Sequence, residues 1–128
     1  MNKRVVLVIT ILLVSMIFTT ALAVIANPNI SSASINLPSS MNANFSLIAR
    51  KFCDISVYNV KLEVKNNNGT WSFVSWLSSP AGASNAISLN SSKSYASSCI
   101  SGKTYRISAT FDADGETVSR TSNEATYN

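Results

Sequence analysis

The clearest hydrophobic pattern in this chain is a strict alternation of apolar and polar side chains between residues 58 and 65. The apolar members are Tyr58, Val60, Leu62 and Val64. A period of two is typical of a strand with one buried face. The Asn-Asn-Asn-Gly run at 66–69 follows, and it predicts a hairpin turn because Asn and Gly tolerate positive φ. A returning strand is therefore expected over 71–76.

A second alternation begins after residue 104 and ends in another turn signal. Its apolar members are Tyr105, Ile107, Ala109 and Phe111. The turn at 112–115 contains Asp-Gly, a strong hairpin signal, so the chain should return over 116–121 and end in a short strand at 125–127. The carboxylates of Asp112, Asp114 and Glu116 are interpreted as turn residues, since an EF-hand needs a longer ligand set and flanking helices.

The remaining strand signals are shorter. Phe45, Leu47 and Ala49 alternate with polar or mixed neighbours, and weaker strands are expected near 86–89 and 94–100. About seven short strands with turn signals roughly every ten residues predict an all-β fold, a single β-sandwich domain over 43–128. Residues 27–42 are expected to be a flexible lead-in with one edge strand around 34–37.

The first 26 residues have the layout of a secretory signal peptide. Lys3 and Arg4 form a positive head, an apolar run follows from residue 5 to 18, and small residues precede a cut after Ala26 or Ala23. The alternative is an uncleaved anchor, because residues 5–26 carry no charge and are just long enough to span a bilayer. Cleavage is the preferred interpretation, and it predicts a secreted, extracellular protein that meets a membrane only if the leader is retained.

Both cysteines, Cys53 and Cys99, lie after the leader. Two cysteines in a small exported domain predict one disulfide. A zinc site is excluded by ligand count, because the chain has no histidine and only two thiols. We expect no metal and no cofactor.

Charge and residue chemistry exclude several classes of function. The chain has 10 basic and 6 acidic residues, and two of the basic ones belong to the leader. The other eight are scattered, which argues against nucleic-acid binding. Serine catalysis lacks a base, since there is no histidine and no S-x-x-K motif, and Glu63, Glu116 and Glu124 show no pairing expected of a glycosidase. The protein is therefore predicted not to be an enzyme.

The aromatic residues are the best candidates for a binding surface. Trp71 and Trp76 are five residues apart, so in a regular strand they point to opposite faces, unless a bulge between them resets the register. We expect Trp71 and Tyr58 to fill the core and Trp76 to be the candidate binding residue on the surface. An exposed aromatic ring can stack on a sugar.

Two segments carry a family resemblance: VKLEVKNNNGTW and GKTYRISATFDADGETVSRTSNE. Together they resemble the later strands of fibronectin type III and immunoglobulin-like domains, with matches at Tyr105, Ile107, Ala109, Gly115 and 119–123. The chain from 43 to 127 is also similar to small exported proteins of unknown function from Gram-positive bacteria. It departs from immunoglobulin domains because Cys99 precedes Tyr105 by six residues.

The resemblance implies an immunoglobulin-like sandwich, and fold alone does not choose a function. The expected function is a secreted, non-catalytic binding or adhesion module. Its partner would be an extracellular glycan, an envelope component or a protein. The alternative is a small secreted toxin or bacteriocin-like effector, compatible with the compact size and modest positive charge.

Overall fold

The computed structural model describes residues 28–128, and this part of the chain is built from strands. The seven strands are β1 (Ile30–Asn36), β2 (Asn42–Lys65), β3 (Trp71–Leu77), β4 (Ala83–Ser94), β5 (Thr104–Ala113), β6 (Glu116–Thr121) and β7 (Ala125–Thr126), with a 3₁₀ turn at Ala96–Ser98. The expected all-β fold of about seven strands is confirmed. The predicted leader lies outside the described residues. Within 28–128, no helix has the length and apolar character needed to cross a membrane.

The 24-residue strand β2 organises the whole sheet. Its first half pairs with β1 on one side and β4 on the other, and its second half pairs with β3 and β5. Strands β6 and β7 both add to β5, and every pairing is antiparallel. The strands therefore form one continuous curled sheet, and β2 belongs to both of its halves.

The core lies between the two halves of the curled sheet. Phe45 in the first half of β2 and Phe111 in β5 have ring centroids 6.4 Å apart, and neither ring is exposed to solvent. The alternation along β5 is reproduced in full, with every second residue buried. Burial of these side chains is the main favourable contribution to folding. The largest fully buried side chains are Tyr105, Phe45, Phe111, Leu37, Met41, Leu47, Leu62, Ile107 and Val60.

The predicted lead-in contributes to this core. Strand β1 pairs with β2 from Ile30 opposite Ala49 to Asn36 opposite Asn44, and Ile35 is buried. The side chain of Asn123 accepts a hydrogen bond from the Leu37 N–H at 2.9 Å and donates one to the Leu37 carbonyl at 2.7 Å. These bonds hold the β1 end against the last segment of the chain.

Both predicted hairpin turns are confirmed. In the first, Gly69 has φ +84° and the Asn66 N–H donates to the Thr70 carbonyl at 2.7 Å. In the second, Asp114 and Gly115 both have positive φ, the conformation of a type I′ turn, and the Gly115 N–H donates to the Asp112 carboxylate at 3.1 Å. The described residues contain no group of three or more His, Cys, Asp or Glu side chains that could hold a metal ion.

The predicted disulfide is wrong, because Cys53 and Cys99 are both free thiols. Cys53 pairs with Ala86 near the start of β4. Cys99 follows the other end of β4, where Ser94 pairs with Asn42. Ser94 is eight residue steps along β4 from Ala86, a distance of roughly 26 Å at about 3.3 Å per step. A disulfide needs Cα atoms within about 7 Å of each other. The two thiols therefore lie near opposite ends of the sheet.

Alkylation should reveal two thiols without prior reduction. We expect two labels per chain in denaturant. In the native protein, the partly exposed Cys99 should react before the buried Cys53. Burial also raises the pKa of Cys99, so its native labelling should be slow near neutral pH and accelerate as pH rises past the ordinary thiol value. Mass spectrometry of labelled peptides measures both rates, and an unreduced chain that takes up no label in denaturant would contradict the structure.

Candidate functional site

Three aromatic residues of β3 lie together on the outer face of the sheet. On β2, Val60 and Leu62 are buried, so the alternating residues between and after them face outward. Each outward residue of β2 pairs with one of the aromatics on β3: Lys61 with Trp76, Glu63 with Phe73 and Lys65 with Trp71. We call Trp71, Phe73 and Trp76 the aromatic face.

A bulge in β3 produces this arrangement. Leu62 pairs with Ser75 and Glu63 pairs with Phe73, so Val74 is an extra residue on the β3 side. One extra residue resets the alternation of side chains along a strand. The two tryptophans consequently share a face although five positions separate them. A regular strand would have placed them on opposite faces. The sequence analysis allowed for a bulge between them that resets the register, and the structure contains that bulge.

The members of the aromatic face differ in exposure. Trp76 is 65% exposed and Phe73 is 55% exposed, with their ring centroids 5.6 Å apart. Trp71 is half-buried, because the Arg106 guanidinium lies 4.3 Å from its ring centroid. The prediction that Trp71 fills the core is therefore wrong. It is also wrong for Tyr58, which is exposed on the outer surface of β2.

A shallow depression of about 260 Å³ adjoins Trp76 on the outer face. A second bulge shapes it: Tyr58 pairs with Thr110 and Lys61 with Ser108, which leaves two β2 residues opposite one on β5. Asn59 sits in this bulge with φ +51°, a left-handed conformation that Asn tolerates better than most residues. The depression is lined by Asn59, Lys61, Trp76, Ser108, Ala109, Thr110 and Ser119.

The ion pairs of the outer face leave Lys61 as the weakly paired cation. The Arg106 Nε donates to the Glu63 Oε1 at 3.1 Å, and the Lys61 Nζ lies 3.9 Å from the same oxygen. Lys65 pairs separately with Glu124 at 3.1 Å. Since Glu63 is already engaged by Arg106, the Lys61 ammonium is available to another anion. Among the residues that the structure describes, none of those lining the depression is a carboxylate.

Charge is distributed unevenly along the domain. The end of the sheet that holds the β5–β6 turn carries two cations and four carboxylates. The opposite end of the sheet, which includes the aromatic face, carries five cations and two carboxylates. The carboxylate-rich end holds Arg50, Lys51, Asp54, Asp112, Asp114 and Glu116; the cation-rich end holds Lys61, Lys65, Lys93, Lys103, Arg106, Glu63 and Glu124. The remaining cation, Arg120, pairs with Ala109 near the middle of β5 and belongs to neither end.

Sequence reasoning found one member of this surface and missed the others. Trp76 was the candidate, and it is the most exposed aromatic of the face. Phe73, Asn59 and Lys61 were missed, together with the hydroxyls of β5 and β6. Asn59 and Lys61 occupy polar positions in the alternation over 58–65, and the β5 hydroxyls occupy polar positions in the alternation after residue 104. Such a pattern indicates which residues share a face of one strand. It does not show which strands are neighbours. Cys53 and Cys99 do not line the depression.

The chemistry of this surface is that of non-covalent binding. An exposed indole offers a flat apolar face, and the hydroxyl, amide and ammonium groups beside it donate and accept hydrogen bonds. Comparison with known protein families, with curated proteins and with solved structures finds no match to this chain. The geometry of the aromatic face and its depression therefore carries the functional argument.

Proposed function

We propose that this protein is an exported, non-catalytic binding module that meets a partner outside the cell through its aromatic face. The observation that carries the proposal is the pair Phe73 and Trp76, two large aromatic side chains exposed side by side. A partner that covers these rings removes a large apolar area from water, which favours binding. Trp is also enriched among the residues that dominate binding energy at interfaces.

The support beneath the aromatic face is rigid. Trp76 is opposite Lys61 on β2, and β2 is bonded on its other side to β5. Beneath these strands lie Leu62 and Ile107, both fully buried. A preorganised surface binds with a smaller entropy cost than a mobile loop. The face is thus suited to recognition without rearrangement.

The family and the location belong to the same proposal. The curled sheet faces itself across the Phe45–Phe111 contact, an arrangement compatible with a sandwich of the immunoglobulin or fibronectin type III kind. Export is supported by the order of charge, apolar run and small residues in the first 26 positions. The absence of histidine from the chain supports a non-catalytic role.

Replacing Trp76 by Ala should weaken capture of the partner at least about tenfold, because the change removes the exposed ring at the centre of the surface. The unfolding free energy should change by less than about 0.5 kcal/mol, since the side chain is 65% exposed. The measurement is a pull-down from envelope and secreted fractions of the source organism with the full chain, quantified by mass spectrometry.

The matched control is Phe52→Ala. Phe52 is 67% exposed, close to the value for Trp76, and lies in the first half of β2 near the carboxylate-rich end. Its loss should leave capture unchanged. Equal loss of capture in both variants would mean that exposed rings bind nonspecifically, and unchanged capture with Trp76→Ala would refute the aromatic face as the binding surface.

A further inference from the structure

The groups around Trp76 match the surface of a carbohydrate. Three hydroxyls and one carboxamide line the depression beside the indole, and all four can donate and accept hydrogen bonds. A pyranose presents the complementary set, a ring of hydroxyls and a flat apolar face of C–H groups. The groups concerned are Asn59, Ser108, Thr110, Ser119 and Trp76.

The one charged side chain of the depression adds a preference for an anion. Lys61 is directly opposite Trp76 across the β2–β3 pair. Side chains in such positions have Cβ atoms about 5 Å apart, a spacing comparable with the width of a sugar ring. A ring stacked on Trp76 therefore brings a substituent within reach of the Lys61 ammonium. Among residues 28–128, the carboxylate within 4 Å of the Lys61 ammonium belongs to Glu63, which Arg106 already engages.

The charge distribution of the domain points the same way. Lys61, Lys65 and Arg106 adjoin the aromatic face, and four of the six carboxylates lie at the other end of the sheet. This field attracts an anionic chain toward the aromatic face and repels it from the β5–β6 turn. A neutral glycan would gain nothing from that asymmetry.

We infer that the partner is an acidic glycan, in which a sugar ring stacks on Trp76 and its carboxylate pairs with Lys61. The inference rests on the proposed function, because it names the class of partner for the same surface. The hydroxyl and amide groups of the depression hydrogen-bond the ring substituents, and the surrounding cations bind neighbouring acidic units.

The test compares acidic polysaccharides with their uncharged derivatives. The probes are polygalacturonate, alginate and hyaluronate, each immobilised in its free-acid form and as its methyl ester, which keeps the ring and removes the charge. We expect the full chain to bind at least one free acid about tenfold or more tightly than its ester. Affinity should fall as salt is raised from 0.05 to 0.3 M, since salt screens exposed charges.

Two substitutions separate a built site from general attraction between a basic protein and a polyanion. Trp76→Ala should lower affinity about tenfold or more, and Lys61→Gln about fivefold or more. The matched controls are Phe52→Ala and Arg50→Gln at the carboxylate-rich end, which should each stay within about twofold of the unchanged protein. Equal losses with Lys61→Gln and Arg50→Gln would overturn the inference in favour of nonspecific attraction.

The remaining outcomes distinguish this inference from the proposed function. Equal affinity for acids and esters would overturn the acidic character and identify a neutral glycan, with the proposed function intact. Binding to none of the probes, together with envelope capture that still depends on Trp76, would overturn the inference and indicate a protein partner. If envelope capture does not depend on Trp76, the proposed function itself fails.

Discussion

Phe45→Ala should destabilise the domain by about 3–5 kcal/mol, the cost typical of removing a buried aromatic side chain. Phe45 is fully buried at the point where the two halves of the curled sheet meet. Its ring centroid lies 6.4 Å from those of both Phe111 and Tyr95, so truncation removes packing from two other core rings. For a domain whose total stability is about 5–15 kcal/mol, this change would leave a large unfolded population in mild denaturant.

Chemical denaturation followed by circular dichroism measures this effect, with Phe52→Ala as the matched control. Phe52 is the same residue type in the same strand, but 67% of it is exposed, so its loss should change the unfolding free energy by less than about 0.5 kcal/mol. Comparable midpoints for Phe45→Ala and the unchanged protein would show that the two halves do not pack through Phe45.

Alkaline pH should destabilise the domain through Tyr95. The Tyr95 side chain is 3% exposed and its hydroxyl donates to the Ser78 carbonyl at 2.8 Å. Burial raises the pKa of Tyr95 to about 12, whereas the phenol of an unfolded chain titrates near 10. The folded state therefore holds its proton more tightly than the unfolded state. The contribution of this proton to the unfolding free energy is fully present below pH 10 and is lost as pH rises toward 12. The loss is about 1.4 kcal/mol per pH unit and about 2–3 kcal/mol in total.

Tyr95→Phe isolates that contribution. The variant should lose about 1 kcal/mol at neutral pH, because the hydrogen bond to Ser78 is gone. Between pH 10 and 12 its stability should fall less steeply than that of the unchanged protein, and the difference between the two curves isolates the contribution of Tyr95. Tyr58→Phe, which removes the hydroxyl of an exposed side chain, should change the unfolding free energy at neutral pH by less than about 0.5 kcal/mol. Parallel curves for Tyr95→Phe and the unchanged protein would contradict the assignment.

Local patterns in the sequence predicted much of the secondary structure. The alternation over 58–65 became the second half of β2, and the one after residue 104 became β5 with every second residue buried. The Asn-rich turn and the Asp-Gly turn formed where expected. These features depend on neighbours within a few residues, so hydrophobic period and turn chemistry are sufficient to predict them.

One error is local: the strand expected near 94–100 is wrong, because β4 ends at Ser94 and a 3₁₀ turn follows at Ala96–Ser98. The other errors involve long-range arrangement. The strand predicted around Phe45 and the one at 58–65 are parts of a single strand, because β2 continues through 50–57 with Cys53, Ile55 and Val57 buried on one side. The sequence around Arg50 and Lys51 looks like a connection, since its polar residues hide the period. Only the pairing of those residues with their neighbours shows that the strand is continuous.

The candidate site depends on two bulges whose presence and positions no local sequence pattern predicts. Val74 is an ordinary strand former, yet as the extra residue of β3 it brings Trp71 and Trp76 to one face. Asn59 lies within a perfect alternation, and its positive φ still opens the depression beside Trp76. A bulge places two residues of one strand opposite one residue of its partner, so its position is a property of the pairing and not of the bulged strand alone.

The sequence by itself determined the all-β class, the two hairpin turns and the buried positions of the regular strands, because these follow from side-chain period and backbone preference at short range. It also predicted Trp76 as the candidate binding residue on the surface, and the structure exposes that side chain. The tertiary structure alone decided that the cysteines lie apart, that Trp71 and Tyr58 leave the core, and that Lys61 is opposite Trp76. Each of these depends on strand order, register and bulges, which are set by packing between residues far apart in the chain.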